Sequence, residues 1–190
     1  SLGLVGSEMC IRDRIQSEAK RMIALIEDII KLSHLDEGAE DMQREDVDLL
    51  AVARRQADNL SQAAESAQVS LSVSGESAVV NGIPQLLDAI VHNLSENAIK
   101  YNRPGGFVKV NVRREGGSAL LTVEDNGIGI PPEQQERIFE RFYRVDKSHS
   151  KEVGGTGLGL SIVKHAAALH NAKINVVSAP GKGTVITISF

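Results

Sequence analysis

The sequence predicts an α+β fold, a two-layer α/β sandwich in which helices cover one face of a mixed, mostly antiparallel sheet, preceded by one long amphipathic helix. Three observations lead to this class. Apolar residues recur every three or four positions in several segments, which is the period of an amphipathic helix. They alternate with polar residues in several shorter segments, which is the period of a half-buried strand. The two kinds of segment follow in mixed order, and adjacent strands are joined by tight turns.

The first long helix is predicted over residues 15–36. An isolated helix of this length must bury its apolar stripe against a partner, so we expect it to be the second helix of an incomplete helical hairpin or dimeric bundle. Residues 37–47 are polar, include a glycine and indicate a linker. The stripe consists of Ile15, Ala19, Met22, Ile26, Ile29 and Ile30.

A second region, residues 48–190, begins with a helix and a strand. Asp48 is suited to cap a helix that runs to about Ala67, and the alternation in VSLSVS predicts a half-buried strand. Pro84 is suited to the first turn of another helix, which we expect to continue until Pro104.

The rest of this region alternates strands and helices. FVKVNV and SALLTVED alternate as strands do, and the EGG between them predicts a hairpin. Pro132 should start a short helix to about Phe139, followed by a polar loop over 145–157 and a helix over 158–170. The final residues, AKINVVSAPGKGTVITISF, predict two strands joined by a Pro-Gly turn.

The composition restricts the possible functions. The chain has 190 residues, 42% of them hydrophobic, which is ordinary for a globular protein with a real core. A formal charge of −4 and no basic stripe argue against nucleic acid as the partner. The one cysteine, Cys10, excludes an internal disulfide and fits a reducing, cytoplasmic location. No apolar run approaches the roughly 18 residues that span a bilayer, so we expect a membrane attachment only through upstream segments.

Residues 1–14 follow neither period. Their segment LVGSEMCIRD resembles one reading frame of a sequencing adapter, so we interpret 1–14 as a non-native leader. The alternative is a genuine flexible terminus.

The stretch NLSENAIKYN places polar groups on one side of a predicted helix. Asn93 and Asn97 are four residues apart, and Lys100 and Tyr101 follow at the same helical spacing. Amides, an amine and a phenol on one face make a polar surface that can chelate a ligand.

The stretch VEDNGIGI ends a predicted strand with Asp125, followed by Gly127 and Gly129. Alternate glycines allow the main chain to approach a ligand closely, and a carboxylate accepts a hydrogen bond from an amino group such as that of adenine. The structural alternative is a capped turn, and the motif by itself leaves that alternative open.

The stretch GGTGLGL precedes the last predicted helix. Glycine-freed amides and the positive end of a helix make an anion site suited to phosphates, although a flexible hinge explains the glycines equally well. The spacing matches neither a P-loop nor a dinucleotide fingerprint. The five residues concerned are Gly155, Thr156, Gly157, Leu158 and Gly159.

The stretch ERFYRVDKSHSKEVGG combines aromatic residues with cations. Phe139 and Phe142 could anchor a mobile lid whose Arg141, Arg144 and Lys147 face phosphates. A solvated loop is the alternative for any single charge.

Together and in this order, the four stretches resemble the N, G1, F and G2 boxes of the catalytic and ATP-binding domain of sensor histidine kinases. The resemblance covers 48–190, and the helix over 15–36 resembles the second helix of the same family's dimerisation and phosphotransfer hairpin. The nearest subgroup resembles the phosphate-responsive sensor kinases. The resemblance implies ATP and Mg²⁺ as cofactors, a homodimer through the hairpin and a response-regulator receiver domain as partner.

The resemblance also implies roles for individual residues. Asn97 would bind Mg²⁺ with support from Asn93, and Lys100 would lie near the phosphates. Tyr101 would stack on adenine, and Asp125 would accept a hydrogen bond from the amino group of adenine. Gly127 and Gly129 would pass beneath the nucleotide. Arg144, with Arg141 or Lys147 as lesser candidates, would neutralise charge on the transferred phosphoryl group. The phosphates would lie against Gly155, Thr156, Gly157, Leu158 and Gly159.

The sequence departs from the family pattern in its histidines. These kinases phosphorylate a histidine in a motif resembling HExxTP, and no histidine here has that context. We therefore expect the phosphoacceptor upstream of Ile15, and interpret His34 as a solvated helix residue.

Two other functions stay open. One is a nucleotide-dependent ATPase or clamp of the same superfamily; such relatives use a glutamate base where this chain has Asn93, which cannot take a proton from water. The other is a nucleotide-binding module without catalysis of its own.

Overall fold

The computed structural model describes residues 42–145 and 156–190 throughout, together with scattered helical positions between 15 and 33. The predicted leader over 1–14 lies outside the described residues. So do His34 and the stretch 146–155, which contains Lys147, His149 and Gly155.

The described domain contains three α-helices and seven strands, with two short 3-10 turns before the last helix. Their order is β1 (Glu45–Asp48), α1 (Leu49–Ser66), β2 (Ser70–Gly75), β3 (Val79–Gly82), α2 (Pro84–Lys100), β4 (Phe107–Glu115), β5 (Ser118–Asp125), the 3-10 turns Pro132–Gln134 and Arg137–Phe139, α3 (Gly159–Leu169), β6 (Lys173–Ala179) and β7 (Gly183–Ser189).

The strands form a main sheet of five strands in the order β2-β4-β5-β7-β6. Only β2 and β4 run parallel; the other neighbours are antiparallel. A second sheet pairs β1 with β3. The predicted α+β sandwich with a mixed, mostly antiparallel sheet is confirmed.

The three helices form the second layer. Helix α2 lies in the middle and contacts both α1 and α3. The alternating residues Val108, Val110 and Val112 of β4 are buried, as are Leu121 and Val123 of β5. Burying these side chains under the helices is the main driving force for the fold, at roughly 1.5–3 kcal/mol for each large apolar side chain.

The helix starts predicted at Asp48 and Pro84 are confirmed. The Asp48 carboxylate accepts a hydrogen bond from the N–H of Leu50 at 3.0 Å, and a second from Ala78 at 3.2 Å. It therefore caps α1 and also ties the helix start to the segment before β3. Pro84 occupies the first turn of α2, where its missing N–H would have no helical partner.

Helix α2 ends at Lys100, earlier than the predicted limit at Pro104. Tyr101 leaves the helical region with φ −98° and ψ 20°. The Oδ1 atom of Asn102 accepts from the N–H of Arg103 at 2.8 Å, which favours a turn over another helical residue. Arg103 also precedes Pro104, and helical backbone angles are unfavourable for a residue before proline.

Two further segments differ from the prediction. Residues Glu45–Asp48 form strand β1, although most of them lie inside the predicted linker. They form a strand because pairing with β3 satisfies their main-chain hydrogen bonds, and their charged sequence does not predict it. The single helix predicted from Pro132 to Phe139 is instead two 3-10 turns. The division of the chain into 15–36, 37–47 and 48–190 stays a prediction.

All described positions between 15 and 33 are helical, which confirms a helix before the domain. The large apolar residues of its predicted stripe are 48–64% exposed, whereas Leu25 packs against the core of the domain. Among the described residues, no helix is long and apolar enough to cross a membrane. The exposed large residues of the stripe are Ile15, Met22, Ile26, Ile29 and Ile30, and Ala19 is exposed as well.

His170 connects the ends of two helices. Its Nε2 accepts a hydrogen bond from the N–H of Ile83 at 2.9 Å, just before α2, and its Nδ1 lies 2.7 Å from the carbonyl oxygen of Ala166 in α3. The ring is therefore neutral with the proton on Nδ1. Burial lowers the pKa of His170 below its ordinary value of 6.5; the bond to Ala166 acts against this and the charge of Arg44 acts with it.

We expect the free energy of unfolding to fall as the pH drops below 6.5, because protonating Nε2 removes the acceptor for Ile83. This contribution is complete above the unfolded-state pKa and is lost as the pH falls through the lower folded-state pKa. His170→Ala should lose about 1–3 kcal/mol at neutral pH. It should also have a flatter pH profile, measured by urea unfolding between about pH 5.5 and 7.5.

Lys164→Ala, exposed on the same helix, is the control and should behave as the wild-type chain does. Equal pH dependence in the wild-type chain and His170→Ala would contradict the assignment.

Candidate nucleotide-binding site

The polar face of α2 points toward the start of α3. The Nδ2 atom of Asn93 donates to the carbonyl oxygen of Ala89 at 2.7 Å, one turn earlier in the helix. Its Oδ1 atom would lie 2.6 Å from a Cβ atom at Gly159, the first residue of α3. Asn93 is thus held against the end of a second helix, and Asn97, half-buried one turn later, lies on the same face.

The donor set on this face suits a hard cation that keeps most of its water. Within the described ranges, no group of three or more His, Cys, Asp or Glu side chains could enclose a metal ion. Mg²⁺ is commonly held by one or two protein oxygens together with phosphate oxygens and water. The amide oxygen of Asn97 fits that pattern better than that of Asn93, which already lies against Gly159.

Asp125 stands at the end of β5, opposite Val108 of β4 and Thr184 of β7. Its Oδ1 accepts a hydrogen bond from the N–H of Gly127 at 2.8 Å. Burial raises the pKa of Asp125 above its ordinary value of 3.8; main-chain bonds from Gly127 and Thr184 lower it, and nearby Glu124 adds to the rise. A partly buried acceptor of this kind is suited to bind a ligand's amino group.

The two glycines after Asp125 make room for protein backbone. A Cβ atom at Gly127 would lie 2.3 Å from the carbonyl oxygen of Tyr101. One at Gly129, where φ is +70°, would lie 2.0 Å from that of Ala179. Close packing of the turn between α2 and the β6–β7 hairpin therefore explains both glycines, whereas the sequence analysis explained them by the approach of a ligand.

Hydrogen bonds hold this turn from both sides. The N–H of Ile128 donates to the carbonyl oxygen of Tyr101 at 3.1 Å, and the N–H of Gly181 donates to that of Ile128 at 2.7 Å. The N–H of Ile130 donates to Oγ of Ser178 at 2.8 Å. The structure thus brings Asp125 to the end of α2.

Tyr101 and Lys100 lie at this end of α2. The Tyr101 ring is 38% exposed, and Nζ of Lys100 is 5.9 Å from its centre. An exposed ring beside a cation can stack on a flat, electron-rich base.

The segment predicted to be a lid is anchored differently from the expectation. The expected anchor Phe142 is wrong, because this residue is 60% exposed and has φ +63°. The other expected anchor, Phe139, is half-buried, and its neighbour Ile138 is buried at 6% exposure. Arg137, which the sequence analysis missed, stacks over the Tyr143 ring at 4.3 Å. Arg144 is half-buried and Arg141 is exposed.

The glycine-rich stretch before α3 contacts this segment. The N–H of Phe142 donates to the carbonyl oxygen of Gly157 at 3.0 Å. Gly157 has φ +73°, a conformation that favours glycine. Leu158 is fully buried, and its N–H donates to Oγ1 of Thr156 at 3.2 Å. The N-cap residue of α3 is Leu158, and among the described residues it provides no side-chain cap, so the N–H groups of the first turn are suited to an anion.

Four polar residues at the site were missed by the sequence analysis. Thr184 is 8% exposed, donates from its main chain to Asp125, and its Oγ1 is 2.9 Å from Oγ of Ser178. Asn102 and Asn126 bond to the main chain of Phe107. The available signals were the asparagine that ends NLSENAIKYN and the one in VEDNGIGI, since asparagine often bonds to nearby main chain in turns.

Two hollows on the described surface lie elsewhere. The larger, of 480 Å³, is lined by Met42, Pro84 and neighbours, and the smaller, of 240 Å³, by Arg114, Phe190 and others. The candidate site is defined by the chemistry of its motifs. Residues 146–155, which separate two of these motifs, lie outside the described ranges.

Comparison with known proteins shows which family the chain resembles. A family profile described as histidine kinase-, DNA gyrase B- and HSP90-like ATPase matches residues 82–190. The sensor-like histidine kinase SenX3 of Mycolicibacterium smegmatis is 41% identical over 185 residues, covering 94% of this chain and 47% of the relative. The sensor protein kinase WalK of Staphylococcus haemolyticus is 34% identical over 177 residues, covering 92% of this chain and 29% of the relative. The chain thus spans less than half of these relatives.

Solved structures show the same fold. The mycobacterial sensor histidine kinase MprB has a TM-score of 0.68 and 32% identity, covering 77% of this chain and 96% of that one. Full-length ShkA in complex with AMPPNP has a TM-score of 0.77, covering 94% of this chain and 38% of that one. At 23% identity, the second likeness concerns the fold alone.

The chain belongs to the family of histidine kinase-, DNA gyrase B- and HSP90-like ATPases. Within this family it is a catalytic module of the sensor histidine kinase type, because the relatives that match it along most of its length are sensor histidine kinases. The family resemblance found in the sequence is confirmed.

Gly127 and Gly159, which lie against α2 and the residue after it, make a matched pair for testing how closely the elements pack. Gly127→Ala should destabilise the domain by about 1–3 kcal/mol, because the new Cβ meets the main-chain oxygen of Tyr101. Gly159→Ala should cost much less, because its Cβ meets the side-chain end of Asn93, and alanine favours the helix by up to about 1 kcal/mol. Urea unfolding of both variants measures the difference, and equal losses would contradict the packing described.

Proposed function

We propose that this module binds Mg²⁺ and ATP and supplies the γ-phosphoryl group to a histidine on a helical hairpin, for relay to an aspartate of a response-regulator receiver domain. The observation that carries the proposal is the convergence of three motifs. The turn after Asp125 lies against the end of α2 through Gly127, and the start of α3 lies against the amide face of the same helix through Gly159.

The base-binding part of the proposed site lies between Asp125 and Tyr101. The Asp125 carboxylate accepts a hydrogen bond from the exocyclic amine of adenine, and the exposed Tyr101 ring stacks on the base. A carbonyl at the same position of a purine would be repelled by the carboxylate. A site built to bind an amino group can reject the analogue lacking it by several orders of magnitude.

The phosphate-binding part combines α2, the start of α3 and the lid segment. Asn97 provides the protein oxygen for Mg²⁺, and Asn93 supports the ion or its waters. When bound, Mg²⁺ neutralises charge on the phosphate oxygens. The N–H groups at the start of α3 bind the phosphates, with Gly155, Thr156, Gly157, Leu158 and Gly159 forming this stretch.

The residues proposed for transfer act by position and charge. Lys100 and Arg144 stabilise negative charge on the transferred phosphoryl group, and Arg141 is the lesser candidate. Asn93 stands where a hydrolytic relative would carry a glutamate base, and an amide cannot take a proton from water. This favours transfer to a histidine over ATP hydrolysis.

The partners follow from the exposed helical stripe. In the whole protein, we propose that residues 15–36 complete a helical hairpin that forms a homodimer and carries the phosphoacceptor on its other helix. The exposure of Ile26, Ile29 and Ile30 supports a missing partner surface. We further propose a cytoplasmic domain, attached to a membrane only through other segments. Response to phosphate stays a prediction from the sequence.

Transfer can be tested with γ-labelled ATP and an added hairpin that carries a phosphoacceptor histidine. We expect acid-labile label on the hairpin only when this chain, Mg²⁺ and ATP are all present. Asn97→Ala should reduce labelling by at least about a hundredfold, since it removes the proposed protein ligand of the ion. Asn111→Ala, which removes an amide on β4 bonded to Ser74, should leave it unchanged.

The alternative functions predict other results. Release of phosphate without labelled hairpin would favour an ATPase, and ATP binding with neither product would favour a binding module.

Asp125→Asn tests the base-binding half of the proposal. We expect ATP affinity to fall at least about tenfold in calorimetry with Mg²⁺, because the acceptor loses its charge. The raised pKa of Asp125 means that it takes up a proton at higher pH than an ordinary aspartate. ATP binding should therefore weaken as the pH is lowered toward that pKa, and more in the wild-type chain than in the variant. An identical pH profile for both would contradict the assignment.

A further inference from the structure

Two asparagines outside the proposed contacts bond to the main chain of one residue, Phe107, at the border of the site. The Nδ2 atom of Asn102 donates to the carbonyl oxygen of Phe107 at 2.9 Å. The Oδ1 atom of Asn126 accepts from the N–H of Phe107 at 2.7 Å. Both main-chain polar groups of the first residue of β4 are thus bonded by side chains from two different loops.

Each asparagine directly follows a residue of the proposed base site. Asn102 comes after Tyr101, and Asn126 comes after Asp125. Phe107 is therefore a common support for the two loops that carry the ring and the carboxylate. Within each loop only one peptide unit separates the asparagine from the ligand-binding residue, so a shift of either amide moves that residue.

Asn102 and Asn126 form a clamp on Phe107, and this clamp has one defined orientation. The Oδ1 atom of Asn102 accepts from the N–H of Arg103 at 2.8 Å, which leaves Nδ2 as the group that faces Phe107. Gly106 is buried between the two amides; a Cβ atom there would lie 2.1 Å from Oδ1 of Asn102 and 2.8 Å from Oδ1 of Asn126. Only glycine permits both amides to approach this closely.

A direct contact between the loops complements the clamp. The N–H of Ile128 donates to the carbonyl oxygen of Tyr101, and Gly127 lies against the main chain of Tyr101 and Asn102. The loop after α2 and the turn after β5 are therefore connected twice, directly and through Phe107. This double connection fixes the main chain at Tyr101 relative to the main chain that follows Asp125.

We infer that Asn102 and Asn126 are positioning residues that set the selectivity of the site for adenine over a purine with a carbonyl in place of the amine. The inference rests on the proposed function. A base must stack on Tyr101 and present its amine to Asp125 at once, so selectivity depends on their separation. Loosening the clamp weakens the amine contact, which ATP uses, and leaves phosphate binding at α2 and α3 in place.

The test compares ATP with inosine triphosphate, which has a carbonyl where adenine has its amine. Binding of each in the presence of Mg²⁺ is measured by calorimetry for the full chain and for Asn102→Ala and Asn126→Ala. Asn111→Ala is the matched control, because this amide on the same β4 strand bonds to Ser74 and lies outside the clamp. Thermal unfolding of every variant is recorded alongside.

We expect the wild-type chain and Asn111→Ala to prefer ATP to the same degree. In each clamp variant the ratio of ATP to inosine triphosphate affinity should fall by about tenfold, while inosine triphosphate affinity changes by less than about threefold. If Asn102→Ala fails to fold, Asn102→Ser replaces it, since its shorter side chain cannot reach Phe107.

Three results would overturn the inference: an unchanged ratio, a parallel loss of both nucleotides, or unfolding of both replacements at Asn102. The last two would mean that the amides support the fold as a whole. A wild-type chain that binds neither nucleotide would instead overturn the proposed function, on which the inference rests. A wild-type chain that binds both equally would remove the assigned role of Asp125 and the inference with it.

Discussion

The backbone contact between Gly127 and Tyr101 is the constraint on which the candidate site depends. A Cβ atom at Gly127 would stand 2.3 Å from the carbonyl oxygen of Tyr101, and the next N–H, that of Ile128, donates to the same oxygen. Main chain meets main chain here, so neither side can yield as a side chain would. Because of this contact, the strand that ends in Asp125 and the helix that carries Asn97 share one surface.

The site combines this rigid centre with groups that are individually unfavourable for stability. Burial raises the pKa of the Asp125 carboxyl, which means that the folded domain disfavours its charge. The start of α3 has no side-chain cap, and Tyr101 and Phe142 are partly or largely exposed. A nucleotide would bond to the ionised acceptor and the N–H groups on binding and would cover an exposed aromatic ring. Groups that are unfavourable for stability are usual at functional sites.

Much of the fold could be predicted because short-range sequence patterns determine where several helices and strands form. The cap at Asp48, the proline at the start of α2 and the alternation in β4 and β5 are each decided by neighbours in sequence. Prediction was weaker where a distant contact replaced local preference. Strand β1 exists because β3 pairs with it. The segment after Pro132 forms two 3-10 turns, where Gln135 donates to the carbonyl oxygens of Ile130 and Ser178.

The sequence by itself determined the kinds of chemistry at the site: amides on one helical face, a carboxylate at a strand end and glycines before a helix. It did so because these depend on residue type and short-range spacing. Only the tertiary structure decided which atoms the glycines accommodate, where α2 ends, and that Asn102 and Asn126 hold Phe107 between them. Those features arise from main-chain groups that approach one another only after the sheet and helices have packed, and no local pattern in the sequence encodes the distances between them.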